Sequence, residues 1–397
     1  MADRVVILGA GHAGGLAAIT LRDLGFSGTI TVVGDERVPP YERPSLSKEF
    51  LCGAEQEPVW LAPEERWAAL AIDLRLGVAA ELVDRNQRHV VLSDGARLEY
   101  DHLILAMGGK VRPLPQAEAV SHAVHYLRTT EDARALAAAA RPGQHAVIVG
   151  GGVIGLEAAS TLHGLGLSTT VLEAGERILG RNIPAEAADW LSNAHARDGI
   201  DIRTNSLITR MEAQTDGRVQ VHLENADPLE ADLVIVGIGI IPCTHLAEQA
   251  RLSVQGGVVV GDDYRSTEDA RIFAIGDLAA RQRGESIGRT ETWAHAQSSA
   301  RAAALAIMNL PAEPEPAPWF WTAQCSHNLQ ILGDPVQGDS VIARGDHVRL
   351  YTRQGALVGA VCLDQPRDFA SARRLLGKAL NPQLAADRCS DLRKAVA

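Results

Sequence analysis

An α/β chain of two similar halves, with a small α+β domain at its C-terminal end, is what this sequence predicts, on three observations. An apolar run followed by a glycine loop occurs twice: Val5-Val6-Ile7-Leu8 before Gly9-Ala10-Gly11-His12-Ala13-Gly14, and Ala146-Val147-Ile148-Val149 before Gly150-Gly151-Gly152-Val153-Ile154-Gly155. Each loop opens a small-residue helix, expected over about Gly15–Leu24 and Leu156–Leu165. Each helix leads to a second apolar strand, Thr29–Val33 and Thr169–Leu172, with an acid just beyond it (Asp35 with Glu36 beside it, and Glu173). From about residue 317 the pattern changes to short alternating stretches, Val341–Arg344, Val348–Tyr351 and Leu357–Val361, followed by a basic helix. That reads as a small antiparallel sheet with one or two helices.

Each part of the repeated unit has a physical reason. A run of apolar residues suits a strand buried on both faces of a parallel sheet. The first glycine of each loop (Gly9, Gly150) permits the tight turn, the second (Gly11, Gly152) lets backbone approach a pyrophosphate, and the third (Gly14, Gly155) lets helix pack on strand. The helix N-terminus offers unpaired N–H groups and partial positive charge to phosphates. The acid about 20 positions on accepts hydrogen bonds from an adenosine ribose, the place of Asp35 and Glu173. One such loop is as often an ordinary glycine turn as a site. Two complete copies predict two dinucleotide-binding Rossmann-like domains. Glu173 would repel a 2′-phosphate, which favours NADH over NADPH at the second site; Arg177 and Arg181 lie just beyond it and read either as surface charge or as phosphate contacts.

Composition removes other classes. A length of 397 residues suggests two or three domains. A formal net charge of −11 argues against non-specific binding to nucleic acid or anionic membranes. No apolar run reaches the roughly 18 residues that span a bilayer, and the opening Met1-Ala2-Asp3-Arg4 leads into a run broken by Gly9 and Gly11, unlike a secretory signal. The cytoplasm is the expected location. Cys52, Cys243, Cys325, Cys362 and Cys389 form no CxxC pair and no cluster with zinc spacing, so no metal site is expected and free thiols are the simplest reading.

Three further runs and six motifs carry a resemblance. Thr267-Glu268-Asp269-Ala270-Arg271-Ile272-Phe273-Ala274-Ile275-Gly276-Asp277, with Leu278-Ala279-Ala280 helix-like behind it, resembles the second FAD signature of two-dinucleotide flavoproteins; alone, Asp277 reads equally as a helix cap. Leu103–Gly109 and Leu233–Pro242 look like the crossovers into and out of an inserted NAD domain. The motifs are Pro40-Tyr41-Glu42-Arg43-Pro44-Ser45-Leu46-Ser47-Lys48, Leu127-Arg128-Thr129-Thr130-Glu131-Asp132-Ala133, Gly155-Leu156-Glu157-Ala158-Ala159, Glu291-Thr292-Trp293-Ala294-His295-Ala296-Gln297, Pro318-Trp319-Phe320-Trp321 and Pro366-Arg367-Asp368-Phe369-Ala370. Over nearly the whole chain the sequence resembles the FAD-dependent NADH:ferredoxin reductases that serve aromatic-ring dioxygenases and bacterial cytochromes P450.

The resemblance implies a glutathione-reductase-like flavoprotein with an FAD domain over 1–113 and 239–312, an NAD domain over 114–238 and a C-terminal interface domain over 317–397, after a Pro/Glu-rich linker. It implies that Gly9, Gly11, Ala13, Gly14, Asp35, Arg43, Lys48, Ala80, Gly108, Arg128, Asp277 and Trp293 serve FAD. Gly150, Gly152, Ile154, Gly155, Glu157, Glu173, Arg181, Gly237 and Gly239 would serve NAD. Lys48 would stand at the reactive flavin edge, paired with Glu157, which would also orient the nicotinamide carboxamide. Without the resemblance, Lys48 reads as a solvated lysine and Glu157 as an exposed helix residue. The implied partner is a [2Fe–2S] ferredoxin, plant-type or Rieske-type, and the implied assembly a monomer or homodimer. Departures are Ser45 for a proline, Met107 for a threonine, and Ala323-Gln324-Cys325-Ser326-His327 where the family commonly has Asp-Gln-Tyr, in a segment that faces the partner.

Disulfide reductases on this scaffold need a cysteine pair, and peroxide- or CoA-disulfide-reducing relatives a single cysteine after Leu-Ser. Here Lys48 follows Leu46-Ser47, and Cys52 comes four residues late. Two alternatives share the scaffold: an NADH oxidase-like flavoenzyme, and an FAD redox sensor of the apoptosis-inducing-factor type. His12 reads as an accommodated variant within its loop, and Trp60, Trp67 and Trp190 as packing residues.

Overall fold

The computed structural model describes residues 3–180, 183–284 and 286–397. The chain separates into two compact units. The first comprises Met1–Arg43, Pro58–Lys110 and Ile240–Pro316, and the second Pro44–Glu57, Val111–Gly239 and Ala317–Ala397.

In the first unit, strand β1 (Arg4–Leu8), helix α1 (His12–Asp23) and strand β2 (Thr29–Gly34) form the opening βαβ element. β1 lies at the centre of a five-stranded parallel sheet, in the order Ile272–Ala274, His102–Leu105, β1, β2, Ile72–Leu76. Central strands of such a sheet have no wet face, and Val5 through Leu8 and Leu103 through Leu105 are all buried. The helix begins at His12, three residues ahead of the expected Gly15, because the third glycine packs inside its first turn. A Cβ on Gly14 would overlap the carbonyl oxygen of Gly9. A second correction falls after Asp277. Gly276–Leu278 is a single 3₁₀ turn, and Ala279-Ala280 begins the strand Ala279–Arg283, not a helix. Both alanines are buried there, with Ala279 and Ala280 paired to Val258 and Val259.

The second unit repeats the scheme. Strand β3 (His145–Val149), helix α2 (Val153–Gly164) and strand β4 (Ser168–Leu172) correspond to β1, α1 and β2. The sheet order is Asp201–Arg203, β4, β3, Leu233–Val236, Val124–Tyr126, all parallel. Helix α2 likewise starts three residues before the expected Leu156, with Gly155 against the Gly150 carbonyl. Helix α3 (Ala185–Asp198) covers this sheet and ends at Gly199, whose φ of +88° makes the left-handed C-cap. The C-terminal part is a five-stranded antiparallel sheet, edged by strand β5 (Trp319–Gln324). Strand β6 (His327–Gly333) follows, then Ala356–Leu363, Val348–Arg353 and Ser340–Ala343. Helix α4 (Pro366–Leu375) packs Phe369, Ala372 and Leu375 onto it and leaves Arg367, Arg373 and Arg374 in solvent. Among the described residues no helix is long and apolar enough to cross a membrane.

Candidate active site

The two glycine loops are superposable in chemistry. The amide of Gly9 donates to Val33 O at 2.7 Å, and that of Gly150 to Leu172 O at 2.8 Å. Both first glycines take a conformation closed to L side chains, with φ of +113° and +109°. Both helices have a glycine N-cap, Gly11 and Gly152, with no side-chain cap, so their first N–H groups await an acceptor. A Cβ on Gly11 would meet nothing nearer than the Arg43 guanidinium at 3.9 Å, so this face of the loop is open.

The loops differ in one exchange of bulk. In the first unit Ala10 touches Gly34 at the end of β2. In the second the matching positions are Gly151 and Glu173, and a Cβ on Gly151 would stand 3.1 Å from the Glu173 Cβ. Glu173 uses both carboxylate oxygens on its own backbone, accepting from the amides of Gly151 and Gly175 at 2.7 Å each. Asp35 sits one position later than Glu173 in this register and is exposed. The fixed carboxylate there is Glu36, which accepts from Tyr41 Oη at 2.6 Å and Arg43 Nη2 at 2.7 Å. Sequence reasoning assigned Arg43 but not this clamp. Only the folded turn brings residues five and seven positions apart together.

The rest of the first loop's surroundings come from the same unit. Trp293 opens the helix Trp293–Ile307, capped by Thr292, and its ring lies 5.5 Å from that of His12. Both His12 ring nitrogens are buried with no hydrogen-bond partner among the described residues. Burial first, and the Arg43 cation second, push the His12 imidazole down to about 4, so it is neutral at pH 7. Asp277 sits half-buried in the 3₁₀ turn after the strand Ile272–Ala274, and Gly276 N is tied to Ser299 Oγ at 3.0 Å. Ala13 is buried, with a Cβ on Gly276 coming to 3.1 Å of it. Gly108 follows the strand His102–Leu105 with φ of +60°, and Ala80 begins the strand Ala80–Asp84. Met107, where a threonine was expected, packs against the unit's core.

In the second unit, Gly237 closes on the loop from the neighbouring strand, its amide donating to Val149 O at 2.8 Å. A Cβ on Gly150 would come to 2.5 Å of its oxygen. Gly239 has φ of +98°, and Ile154 is exposed in the first turn of α2. Arg177 donates to Gly180 O at 3.0 Å. Arg181 lies outside the described residues. Arg128 lies two residues beyond the strand Val124–Tyr126, just before the helix Thr130–Ala139 and its N-cap Thr129. Its amide donates to Asp132 Oδ2 at 3.0 Å, so the Leu127–Ala133 motif is a capping box with Arg128 fixed at its entrance.

Lys48 and Glu157 are neither solvated nor exposed. Glu157 on α2 has 3 % exposure and accepts from Lys48 Nζ at 2.9 Å, Ser47 Oγ at 2.6 Å, Thr322 Oγ1 at 2.9 Å and the Ala323 amide at 3.3 Å. A carboxylate has roughly four lone-pair sites, so the protein fills all of them. Ser47 and Lys48 are held in turn by Thr161 Oγ1, which donates to Ser47 O at 2.7 Å. A buried pair of this kind is stable only because it is fully hydrogen-bonded; removal of one partner leaves a charge uncompensated. Cys52 is exposed, while burial pushes the Cys325 and Cys362 thiols up to about 12.

Two nucleotide cradles on parallel sheets, with a buried Lys–Glu pair and an antiparallel C-terminal sheet, define the class. The chain belongs to the pyridine nucleotide-disulphide oxidoreductase family, whose model matches residues 3–300. Residues 319–396 match the reductase C-terminal model. The chain is similar to the ferredoxin–NAD(+) reductase component of the p-cumate 2,3-dioxygenase system of Pseudomonas putida, at 37 % identity over 98 % of this chain and 98 % of that one. It is similar to rhodocoxin reductase of Rhodococcus erythropolis, at 37 % identity over 99 % of this chain and 94 % of that one. Among solved structures it resembles the reductase of the covalent putidaredoxin reductase–putidaredoxin complex, with a TM-score of 0.94, 34 % identity, and coverage of 99 % of this chain and 98 % of that one.

Proposed function

We propose that this chain is a cytoplasmic FAD-dependent oxidoreductase that takes a hydride from NADH and delivers single electrons to a [2Fe–2S] ferredoxin, plant-type or Rieske-type, feeding an oxygenase. The observation that carries the reading is the pair of open glycine cradles in a chain whose Leu46-Ser47 is followed by a part-buried ammonium, Lys48, and not by a thiol. Bound FAD would supply the step from two-electron to one-electron chemistry. Gly9, Gly11 and Gly14 with the α1 N-terminus would hold its pyrophosphate, Asp35 its ribose, and Ala13, Arg43, Ala80, Gly108, Arg128, Asp277 and Trp293 the rest. The fit rests on the uncapped α1, the open face of Gly11 and the partnerless imidazole of His12. Gly150, Gly152, Ile154, Gly155, Gly237 and Gly239 would hold NADH, with Glu173 at its ribose and Arg181 beyond. Glu157 is ion-paired with Lys48; since its acceptor sites are full, a carboxamide that binds it must share an oxygen with Ser47 or Thr322.

The names of the relatives support the acceptor: one is the reductase of a dioxygenase system, and another was captured joined to putidaredoxin. On the C-terminal part, Arg367, Arg373, Arg374 and Lys378 are exposed on an otherwise acidic protein, with the Arg373 guanidinium 5.2 Å from the Trp319 ring. We assign them to steering an acidic carrier. The test is stopped-flow bleaching of the yellow protein by NADH and by NADPH, followed by mixing with plant-type and Rieske-type ferredoxins. Fast bleaching by NADH and carrier-dependent reoxidation are expected. In R374E/K378E, carrier reduction should fall about tenfold at low salt with NADH bleaching unchanged. Full turnover on oxygen alone, without a carrier, would refute the acceptor.

A further inference from the structure

Behind Glu157 runs a buried chain of hydrogen bonds that no family motif announces. Thr322 Oγ1 meets Glu157 Oε1 at 2.9 Å, Gln324 Nε2 meets Thr322 Oγ1 at 2.8 Å, and His195 Nε2 meets Gln324 Oε1 at 2.5 Å. Thr322 and His195 are fully buried and Gln324 nearly so. The chain joins α2, β5 and α3 within the second unit. The turn that follows β5 is also anchored to α2, by the Cys325 amide donating to Ser160 Oγ at 2.8 Å.

The direction of every bond follows from its carboxylate end. Ionised Glu157, facing the Lys48 ammonium, can only accept. The one hydroxyl proton of Thr322 is therefore committed to Glu157, so Thr322 must accept from Gln324. That turns the Gln324 amide nitrogen toward Thr322 and its oxygen toward His195. An amide oxygen only accepts, so His195 carries its proton on Nε2. Nδ1 is then a bare acceptor, which agrees with its being buried and partnerless, and burial lowers the affinity of this imidazole for a second proton.

We propose that His195, Gln324 and Thr322 are positioning residues that orient Glu157, and through it Lys48, by a hydrogen-bond chain of single polarity. The function of this chain in hydride uptake rests on the reading given above; its polarity does not. E157Q provides the test that a merely structural contact would not answer. The amide oxygen at position 157 is best placed toward the Lys48 ammonium at 2.9 Å, which can only donate; the Ala323 amide, at 3.3 Å the longest of the four contacts, then loses its acceptor. Its nitrogen then faces Thr322 and can donate to it. Thr322 turns its proton to the Gln324 oxygen, the Gln324 side chain flips, and its nitrogen donates to His195 Nε2. The His195 proton must then sit on Nδ1.

The experiment is two-bond nitrogen–proton correlation on the FAD-loaded protein labelled in histidine, with His195 assigned from H195Q. The neutral Nε2–H tautomer is expected in the wild type, and the Nδ1–H tautomer in E157Q. An unchanged Nε2–H tautomer in E157Q overturns the polarity argument. In parallel, T322V should slow flavin reduction by NADH about fivefold or more and shift the flavin midpoint potential, while T322S stays within about twofold of wild type. Wild-type rate and potential in T322V overturn the positioning role. If wild-type protein holds no FAD, or is not bleached by NADH, the functional reading fails instead, and the tautomer of His195 still decides the chain itself.

Discussion

At the scale of single residues, Gly14 and Gly155 are under a stringent steric constraint. Each would drive a Cβ into the carbonyl oxygen of the glycine that opens its loop. Relief requires the helix to lift off the strand, which moves the uncapped helix N-terminus that would face the phosphates in the proposed sites. On the proposed assignment of Gly14 to FAD and Gly155 to NADH, the two positions separate the two ligands. G14V should yield a nearly colourless protein, read from the ratio of flavin to protein absorbance. G155V should stay yellow but need at least about tenfold more NADH for half-maximal bleaching rate. Colour lost in both would contradict the division of labour. The glycines were legible in the sequence because their demand is local: a turn, an approach and a close contact within six residues. The surroundings of Glu157 were not. Its donors arrive from Ser47 and Lys48, 110 and 109 positions away, and from Thr322, 165 positions away. No local pattern encodes those distances: the resemblance implied the pairing with Lys48, but nothing in the sequence pointed to Ser47, Thr322 and the Ala323 amide as the other donors.

At the scale of elements, two junctions carry chemistry that the apolar pattern could not reveal. The helix Thr130–Ala139 starts with a reciprocal capping box. Thr129 Oγ1 accepts from the Asp132 amide at 3.1 Å, and Asp132 Oδ2 accepts from the Thr129 amide at 2.8 Å. T129A should cost about 1 kcal/mol. Faster amide exchange confined to the first turn of this helix and to Arg128 would be the direct readout; exchange unchanged there would contradict the cap. The hairpin between β5 and β6 is the opposite case. Its two turn residues, Cys325 and Ser326, hold φ of +51° and +59°, a conformation for which Asn-Gly is the favoured pair. S326G should therefore stabilise the second unit by about 0.5–1 kcal/mol, seen as a rise in its melting midpoint. A fall would mean that the serine side chain holds the turn. Helix starts were misplaced by three residues for a related reason. Glycine reads as a breaker in a one-dimensional pattern, yet Gly14 and Gly155 lie inside their helices because only a missing side chain fits there.

At the scale of the whole molecule, the duplication was legible and the asymmetry between its copies was not. Ala10 with Gly34 in one unit and Gly151 with Glu173 in the other exchange which of the two positions carries a side chain and which is bare, an exchange visible only in the register of the strands. Acid sensitivity is also a property of the sum. Burial is the leading cause that lowers the affinity for protons of His12, His102, His125, His195 and His295, and these span both units. For His12 the folded value is about 4 against 6.5 for the free side chain. Above pH 6.5 neither state holds the proton, and His12 contributes nothing. Between 6.5 and about 4 the unfolded chain binds a proton that the folded chain refuses, so stability falls as pH falls, and the loss levels off below 4. At pH 5 this one imidazole accounts for about 2 kcal/mol. The carboxylates held below their usual range, such as Asp101 beside Arg4, act only at lower pH, so the upper window belongs to the histidines. The apoprotein should therefore lose melting temperature steadily from about pH 7 to pH 5. H12Q, which keeps a neutral polar side chain, should flatten that slope by about 2 kcal/mol across the window. A slope that H12Q leaves intact would show that His12 binds its proton as readily in the folded first unit as in the unfolded chain, so that burial and the Arg43 cation impose no penalty.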